Sequence, residues 1–422
     1  MNKCYSPVRL FALVIAAESV FLLPFVVARI FRPTFLDVFE LTNLQLGSAF
    51  SLYGAVAMVS YFAGGPIADR YSARRLMSVS LVLTSFGGAA FAAIPSVGQL
   101  TMLYGFWGLT TIFLFWAALI RATREWGASD SQGKAFGLLD SGRGLFAALL
   151  ASLAVWLFSL MLPEGAAAEG LEAKKAALTN IIWFFALFCG FSALLVWFFV
   201  PDSQLRDDDP LTPRDESRFN FDGVKAVIRM PAVWLQSLIV VCAYCGFKCT
   251  DDFSLYARDT FGFDDVGSAA VGAISFWVRP FAAFAAGWLG DRYDSSKMII
   301  YSFVMLVAGS SVIALGVLPS GVYVLILLTI AVTSAGIYAM RGLYFAIFGE
   351  AKVPLVFTGS AVGVVSFIGY TPDVFMGPLM GILLDRSPGP LGHQYLFALL
   401  AGIGVLGAFS AVQFRRVTRS AT

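Results

Sequence analysis

The stretch Gly65-Pro-Ile-Ala-Asp69-Arg70 closes one long apolar segment of the chain, and its outline returns in the second half as Gly287-Trp-Leu-Gly-Asp291-Arg292. A third copy, Gly381-Ile-Leu-Leu-Asp385-Arg386, closes another apolar segment near the C-terminus. One match to this pattern carries little weight, but three matches that each end an apolar segment are hard to attribute to chance. The repeats indicate a chain built from related helical units.

The composition places these units in a membrane. Of the 422 residues, 58% are hydrophobic and 13% are charged, and the mean hydropathy is +0.78. Because the hydrocarbon core of a bilayer is about 30 Å thick, a spanning helix needs about 20 mostly apolar residues. Segments of this kind are predicted over residues 9–31, 45–68, 76–95, 98–120, 134–162, 178–200, 233–257, 266–290, 298–318, 321–348, 355–383 and 394–414.

The predicted fold is therefore an all-α polytopic membrane protein with twelve transmembrane helices in two pseudo-symmetric six-helix bundles. The first bundle covers residues 1–200, a polar linker covers 201–232, and the second bundle covers 233–422. Most Lys and Arg residues outside the spans fall on the side of the N-terminus. The positive-inside rule then predicts that both termini and the linker are cytoplasmic.

The first repeat resembles the signature loop of the major facilitator superfamily, which reads G-x-L-A-D-R-x-G-R-R/K between spans two and three. The match is good, although Ser72 stands where the second glycine is usual and Ala73 where the first basic residue is usual. The resemblance covers the whole chain. It implies two bundles that rock around a central cavity, and it implies that the loop is a conformational latch. The predicted gating residues are Gly65, Asp69, Arg70, Arg74, Asp291 and Arg292.

Charged residues deep in the spans are the candidates for chemistry, because an ionisable group near the bilayer centre costs a few kcal/mol or more. Two groups fall at helical spacing and predict internal ion pairs, namely Asp140 with Arg143, and Lys248 with Asp251 and Asp252. For the gating residues named above, the alternative is that their positive charge only sets the orientation of the chain in the membrane and has no role in switching.

Arg279 and Arg341 have no acidic neighbour within one turn of their own helices. They are predicted to meet the negative charge of a substrate, and the alternative is a salt bridge to Glu18 or Asp373. Neighbouring aromatic residues are predicted to line the same cavity, namely Trp277, Tyr338 and Tyr344.

Proton coupling would require a buried carboxylate whose pKa is raised by desolvation. The predicted proton carriers are Glu18 first and Asp373 second. Coupling through histidine is not expected, because the single histidine, His393, is predicted at the outer mouth of the last span.

A narrower resemblance is to a bacterial YihN-like permease subgroup, through Gly142-Arg143-Gly144, Gly349-Glu350-Ala351-Lys352 and Ser366-Phe367-Ile368-Gly369-Tyr370. This subgroup supplies no substrate. It does imply a multi-pass protein of the bacterial inner membrane.

The sequence predicts a secondary active transporter that moves a small polar solute, an organic anion in the favoured interpretation, by alternating access with proton symport. An anion exchanger, a neutral-solute (sugar-like) porter and a transporter-like membrane sensor are the alternatives. The expected partners are the solute, co-transported protons and lipid, with no nucleic acid and a monomeric state. We expect no enzymatic activity, cofactor or metal, since no nucleophile with an adjacent base and no phosphate-binding glycine loop is evident.

Overall fold

The backbone is helical throughout the regular structure of the ranges that the computed structural model describes, which are residues 6–127, 132–162, 170–202, 221–319, 321–348, 350–351 and 358–420. A helix satisfies its interior backbone N–H and C=O groups within one segment, and a lipid environment requires this of any spanning chain. The all-α prediction is confirmed.

In the described part of the first half, nine helices form six spans. The first span joins α1, a π-helical turn over Leu22–Val26, and α2, and the fourth joins α6, a π-helical segment over Leu109–Trp116, and α7. The bounds are α1 Pro7–Phe21, α2 Val27–Ile30, α3 Arg32–Val38, α4 Asn43–Arg70, α5 Ala73–Ala92, α6 Val97–Gly108, α7 Ala117–Gly127, α8 Gln132–Met161 and α9 Leu171–Phe199.

The described part of the second half repeats this plan. Its first span joins α11 and α12 through a 3₁₀ turn over Thr250–Asp252, and its fifth span joins α16 and α17. The bounds are α10 Phe221–Ile228, α11 Pro231–Cys249, α12 Phe253–Phe261, α13 Asp265–Tyr293, α14 Ser295–Ala314, α15 Tyr323–Leu343, α16 Thr358–Gly369, α17 Pro372–Arg386 and α18 Pro390–Ser420.

Eleven helical segments of the described chain are long and apolar enough to cross a bilayer, and α4 supplies the second span in chain order. The twelve predicted spans match these helices to within several residues at most ends. The division into bundles at 201–232 stays a prediction. Residues 203–220 lie outside the described ranges, and α10 lies in the C-terminal part of the predicted linker.

Capping residues explain where several spans begin. Thr42 and Gln45 form a capping box at the start of α4, in which each side chain accepts from the backbone N–H of the other. The Asp264 carboxylate accepts from the backbone N–H of Gly267 at 2.6 Å, which fixes the start of α13. These caps satisfy donors that would otherwise be exposed at the edge of the apolar layer.

Each half has its own apolar core. One cluster of buried side chains runs from Val227 in α10 to Phe414 and belongs to the second half and the linker helix, and another lies within the first half. The third belongs mostly to the first half but also contains Leu255, Ala269, Ala273, Phe276 and Leu384 of the second half. Between the halves, α4 packs on α17 and α8 packs on α13. We call the whole contact between the two halves the seam, and these two helix pairs are its main part.

Glycines let the backbones meet at one end of the seam. A Cβ atom on Gly47 would collide with the carbonyl group of Gly377, and one on Gly381 would collide with the backbone of Leu44. Close approach of this kind is the usual role of small residues between membrane helices. We call the end of the seam where Gly47, Gly377 and Gly381 lie the sealed end.

Replacing Gly47 by Ala should lower the midpoint of thermal unfolding by a few degrees, because overpacking a close contact costs about 1–3 kcal/mol. Gly402→Ala is the matched control, since a Cβ atom there meets no described atom within 4 Å. Alanine is the better helix former, so the control should be unchanged or stabilised. Thermal unfolding followed by tryptophan fluorescence measures both. Equal effects of the two substitutions would contradict the role given to the seam glycines.

Candidate charged cavity between the halves

A cluster of four charged side chains lies between α1, α8 and α13. The carboxylate of Glu18 faces Arg143 Nε at 3.3 Å and Arg279 Nη1 at 3.6 Å. The carboxylate of Asp140 faces Arg143 Nη1 at 3.8 Å and Arg279 Nη2 at 3.4 Å. We call these four residues the first cluster.

The first cluster is electrically balanced, with two guanidinium groups and two carboxylates. Glu18 is buried, whereas the Asp140 side chain is 58% exposed and borders open space. Arg279 is the member that comes from the second half, so its ion pairs tie the two halves together. The predicted pair of Asp140 with Arg143 is present, but the Asp140 side chain is exposed rather than buried.

A second cluster lies nearer the sealed end. Arg29 Nε donates to Asp251 Oδ1 at 2.5 Å across the seam. Lys248 Nζ lies 3.8 Å from Asp251 Oδ2 and 3.4 Å from Asp373 Oδ1, and Tyr244 donates its hydroxyl to Asp373 at 3.0 Å. These two cations and two carboxylates are also balanced.

Arg29 lies at the end of the first predicted span, and its side chain is buried between the halves. The side chain is 6% exposed and packs over the rings of Phe247 and Phe276, at 4.6 and 5.6 Å. The π-helical turn over Leu22–Val26 and α2 carry the first span past Arg29, so this arginine belongs to the span. In the sequence, only its position at the end of an apolar run indicates that Arg29 is part of the span.

Unlike Arg143, Arg279, Arg29 and Lys248, Arg341 has no described carboxylate within ion-pair distance. Its guanidinium packs over the ring of Phe247 at 3.7 Å and near that of Tyr244 at 5.6 Å. Its Nη1 atom is buried and has no hydrogen-bond partner among the described residues. A buried donor of this kind is costly to leave unsatisfied.

Tyrosines surround the same space. The Tyr344 and Tyr370 hydroxyls lie 3.4 Å apart, and the Tyr370 ring packs against Tyr244 at 4.9 Å between centroids. Tyr61 stacks on Tyr370 at 6.4 Å and brings a ring from the first half. We call Arg341, Phe247, Tyr244, Tyr344 and Tyr370 the arginine pocket.

The other predicted aromatic residues lie beside this pocket. Tyr338 is buried and meets Phe247 edge to face at 6.3 Å. Trp277 donates its indole N–H to Ser152 Oγ at 2.8 Å, which is a contact across the seam. The structure therefore brings Tyr338 and Tyr344 to Arg341, and it brings Trp277 to the seam on the same helix as Arg279.

Asp252 pairs with His393 and not with Lys248, its predicted partner. The Asp252 carboxylate contacts His393 Nδ1 at 2.7 Å. The 3₁₀ turn over Thr250–Asp252 rotates Asp251 and Asp252 to different sides of the span. The His393 side chain is fully buried.

Each predicted gating loop forms ion pairs with the end of the last span of its own half. The loop supplies the basic residues in the first half and the acidic residue in the second half. In the first half, Arg74 Nη2 and Arg75 Nη2 hold the Asp202 carboxylate at 2.6 and 3.1 Å. In the second half, Asp294 holds Arg415 and Arg419 of α18, at 2.7 and 2.9 Å. Each half thus ties its central loop to the end of its last span.

The remaining latch residues make few contacts in this conformation. A Cβ atom on Gly65 or Gly287 would meet no described atom within 4 Å. Arg70 lies over the ring of Tyr71, and Arg292 lies near Trp288 and Tyr293. Asp291 is exposed, and the side chain of Asp69 lies outside the described residues.

Polar contacts across the seam concentrate instead at the sealed end. Asp385, from the third repeat, accepts from the backbone N–H groups of Asn43 and Leu44 at 3.0 and 2.8 Å, and so caps α4 from the other half. Arg258 Nη1 pairs with Asp37 at 2.9 Å. Further seam contacts there join Lys174 and Thr34 to Asp265, at 2.8 and 2.7 Å.

These contacts define the conformation. The end of the seam that carries Asp385 and Gly47 is closed, whereas at the other end a Cβ atom on Gly65 or Gly287 would meet no described atom within 4 Å. The arginine pocket and the first cluster lie between the two ends. The protein is closed at the end that carries Asp385 and Gly47, and its central charges lie between the halves.

Comparison with known proteins gives the same architecture a family. The model of the Major Facilitator Superfamily matches residues 10–371. The chain belongs to this superfamily. Its members are transporters, and the chain is accordingly a membrane carrier for a small-molecule solute that works between two helical bundles.

Two inner membrane proteins of Escherichia coli (strain K12) are similar over most of the chain. YihN is 27% identical over 385 residues, and YqcE is 25% identical over 383 residues. Each alignment covers 89% of this chain and 87% of the relative. The predicted resemblance to the YihN-like subgroup is confirmed.

Among solved structures, the nucleoside transporter NupG superposes with a TM-score of 0.71 at 13% identity, covering 97% of this chain and 99% of that one. Identity this low supports the fold alone. The predicted twelve-helix fold is confirmed by this likeness together with the helix order.

The Asp202 ion pairs should make stability depend on pH. A hydrogen bond from Ser72 and the adjacent Arg75 and Arg74 hold the pKa of Asp202 below its ordinary value. A lowered pKa stabilises the folded state above the ordinary aspartate value of about 3.9 and loses that contribution as the pH falls through the lowered value. Asp202→Asn should therefore reduce the unfolding temperature at about pH 7 and have no effect at about pH 2.

Glu172→Gln is the control for this comparison, because Glu172 is an exposed carboxylate at the start of α9. Thermal unfolding of both variants across the pH range gives the result. A loss of stability in Asp202→Asn that is the same at both pH values would show that the charge of Asp202 is not what stabilises the loop.

Proposed function

We propose that this carrier binds a small organic anion between its halves and that Arg341 meets the negative charge. The observation that carries the proposal is the buried Nη1 atom of Arg341, which has no partner among the described residues. The other central cations, Arg143, Arg279, Arg29 and Lys248, already face carboxylates. Of these five described cations, Arg341 alone has a full positive charge available to a ligand.

The geometry of the pocket supports a planar anionic group. Phe247 covers one face of the guanidinium, and an arginine held flat in this way presents paired N–H groups that match a carboxylate or related oxyanion. The hydroxyls of Tyr344 and Tyr370 lie near each other and can donate to further oxygen atoms of the solute. A carboxylate, sulfonate or phosphate ester fits this chemistry.

Arg279 is proposed as a second cation for the solute, available after a change in the first cluster. In this conformation it is engaged by Glu18 and Asp140. A proton that binds Glu18 removes one of these negative charges and loosens the hold on Arg279. Protonation would thereby be coupled to anion binding. Asp373, between Lys248 and the hydroxyl of Tyr244, is the second candidate for the proton.

The positive-inside rule supports an orientation in which the sealed end faces outward. Both termini and the pairs made by Asp202 and Asp294 would then lie on the cytoplasmic side, and the structure would be the inward-facing state. The names of the two Escherichia coli relatives support a location in a bacterial inner membrane. A monomer is proposed, since each half supplies one wall of the cavity.

A neutral solute is the second candidate. The observation that favours it is the number of tyrosine hydroxyls and aromatic rings around the pocket, because hydroxylated rings bind well to such surfaces. NupG, which shares the fold, is a transporter of nucleosides by its name. In that case Arg341 would have a structural role against Phe247.

Replacing Arg341 by Gln should strongly reduce stabilisation by the anionic solute. A ligand at 100 times its Kd stabilises the folded protein by about 2.7 kcal/mol, and removal of a charged hydrogen-bond donor should weaken binding by about 10-fold to 100-fold. The measurement is thermal unfolding against a panel of organic anions and matched neutral solutes. Arg386→Gln, at the exposed end of α17, is the matched control.

Two results would contradict the anion site. One is stabilisation by neutral solutes alone, with the same response in Arg341→Gln, which would support the neutral-solute carrier. The other is saturable anion binding that survives in a folded Arg341→Gln protein, which would place the anion elsewhere.

Glu18→Gln should separate the solute from the proton. In proteoliposomes, an inward-directed proton gradient should accelerate uptake by the wild type and should have no effect on Glu18→Gln, because glutamine takes up no proton. Exchange of solute for solute should persist in the variant. Glu172→Gln is the control for loss of a carboxylate, and it should keep the response to the gradient. Wild-type uptake that ignores the gradient would rule out symport and support anion exchange.

A further inference from the structure

His393 is a buried titratable group that the proposed solute site does not use. It lies in the first turn of α18, with its side chain fully buried between two carboxylates of the α11–α12 span. Nδ1 lies 2.7 Å from Asp252 Oδ2, and Nε2 lies 3.3 Å from Asp259 Oδ2. The ring of Tyr256 packs against the imidazole at 5.4 Å.

The two contacts require a proton on each ring nitrogen. A carboxylate oxygen accepts hydrogen bonds, and a neutral imidazole has only one N–H to donate. Only the imidazolium donates to Asp252 and Asp259 together. Asp252 also has no other hydrogen-bond or ion-pair partner in the described part of the chain, and its second oxygen, Oδ1, is buried without one.

Asp259 links this site to the contact between the halves. Its carboxylate lies 3.3 Å from Arg258 Nε, and Arg258 Nη1 pairs with Asp37 of the first half at 2.9 Å. Lys174 lies on the other side of Asp37, at 3.6 Å. Two ion pairs, His393 with Asp259 and Asp259 with Arg258, therefore connect the histidine to the Arg258–Asp37 contact at the sealed end.

Solvent reaches this chain of charges. A cavity of about 350 Å³ opens at the sealed end and is lined by both halves, with Asp37, Arg258, Asp259, Asp385 and His393 among its lining residues. The Asp259 side chain is 26% exposed. A proton has a short route from the solvent past Asp259 to Nε2.

We propose that His393, together with Asp252 and Asp259, is a proton-binding site that controls closure of the sealed end. With the proton bound, Asp259 is held by Nε2–H, and Arg258 is shared with Asp37. When Nε2 loses its proton to the solvent, the neutral ring keeps the shorter, fully buried contact to Asp252. Asp259 then has Arg258 as its remaining cation and competes with Asp37 for it.

Deprotonation of His393 therefore weakens the Arg258 to Asp37 contact and favours opening of the sealed end. Asp385 lines the same cavity, but it is engaged by the backbone of α4. This proposal concerns the conformational equilibrium and requires no solute. Its test is separate from that of the anion site.

The test is a distance measurement across the sealed end in lipid nanodiscs. Spin labels on Lys175→Cys and Val324→Cys, two exposed positions on opposite halves, are compared from about pH 5 to about pH 10 in a cysteine-free background. We expect the ratio of closed to open molecules to fall about tenfold as the pH rises, the effect of one charge-assisted hydrogen bond.

His393→Gln should remove this pH response. Asp259→Asn is the second variant, in case the first does not fold, and it should also remove the response because no carboxylate is released. Asp385→Asn is the matched control in the same cavity, and it should shift the ratio at every pH while keeping the pH-dependent step. A wild-type ratio that does not change with pH, or a response that survives in a folded His393→Gln or Asp259→Asn protein, would overturn the proposal.

Discussion

The structure depends on neutralising charge where water is scarce. A buried ion is tolerated only with a partner, because the loss of hydration exceeds what a lone hydrogen bond returns. In this carrier some of the partners come from opposite halves, as in Arg29 with Asp251 and Arg279 with Glu18. The halves are therefore joined in the centre by pairs that must separate or exchange when the bundles move. Apolar packing holds each half together, and paired charges set how the halves meet.

The contacts at the two ends of the molecule therefore differ in kind from those in its centre. At the sealed end, glycine contacts and backbone capping by Asp385 allow close approach without side chains in the way. At the opposite end, Asp202 and Asp294 bind basic residues of their own halves and leave the seam free. The central clusters lie between, where either a proton or an anion changes the balance of charge. In the proposed function, motion, coupling and binding share this small set of ionisable groups.

The sequence predicted those features that depend only on residues close together along the chain. Segment length and hydropathy placed the twelve spans, and spacing along one helix found the pairs of Asp140 with Arg143 and of Lys248 with Asp251. Contacts between distant segments were beyond it. Nothing near His393 points to Asp252, and Asp385 lies far along the chain from the α4 backbone that it caps. The partner of Arg29, Asp251, likewise lies far along the chain. Arg341 was singled out correctly as a cation without a local acid, although the aromatic pocket around it required three-dimensional structure.

The surplus charge of Arg341 has an electrical consequence. The two central clusters are neutral, so the empty carrier holds one net positive charge among these groups, and a bound monoanion cancels it. A charge that crosses the whole membrane field gains or loses about 2.3 kcal/mol per 100 mV. To the extent that Arg341 moves through that field, and when no proton is bound with the anion, membrane voltage acts on the return of the empty carrier and leaves the loaded carrier unaffected. The voltage dependence of transport would then reside in the step that carries no cargo.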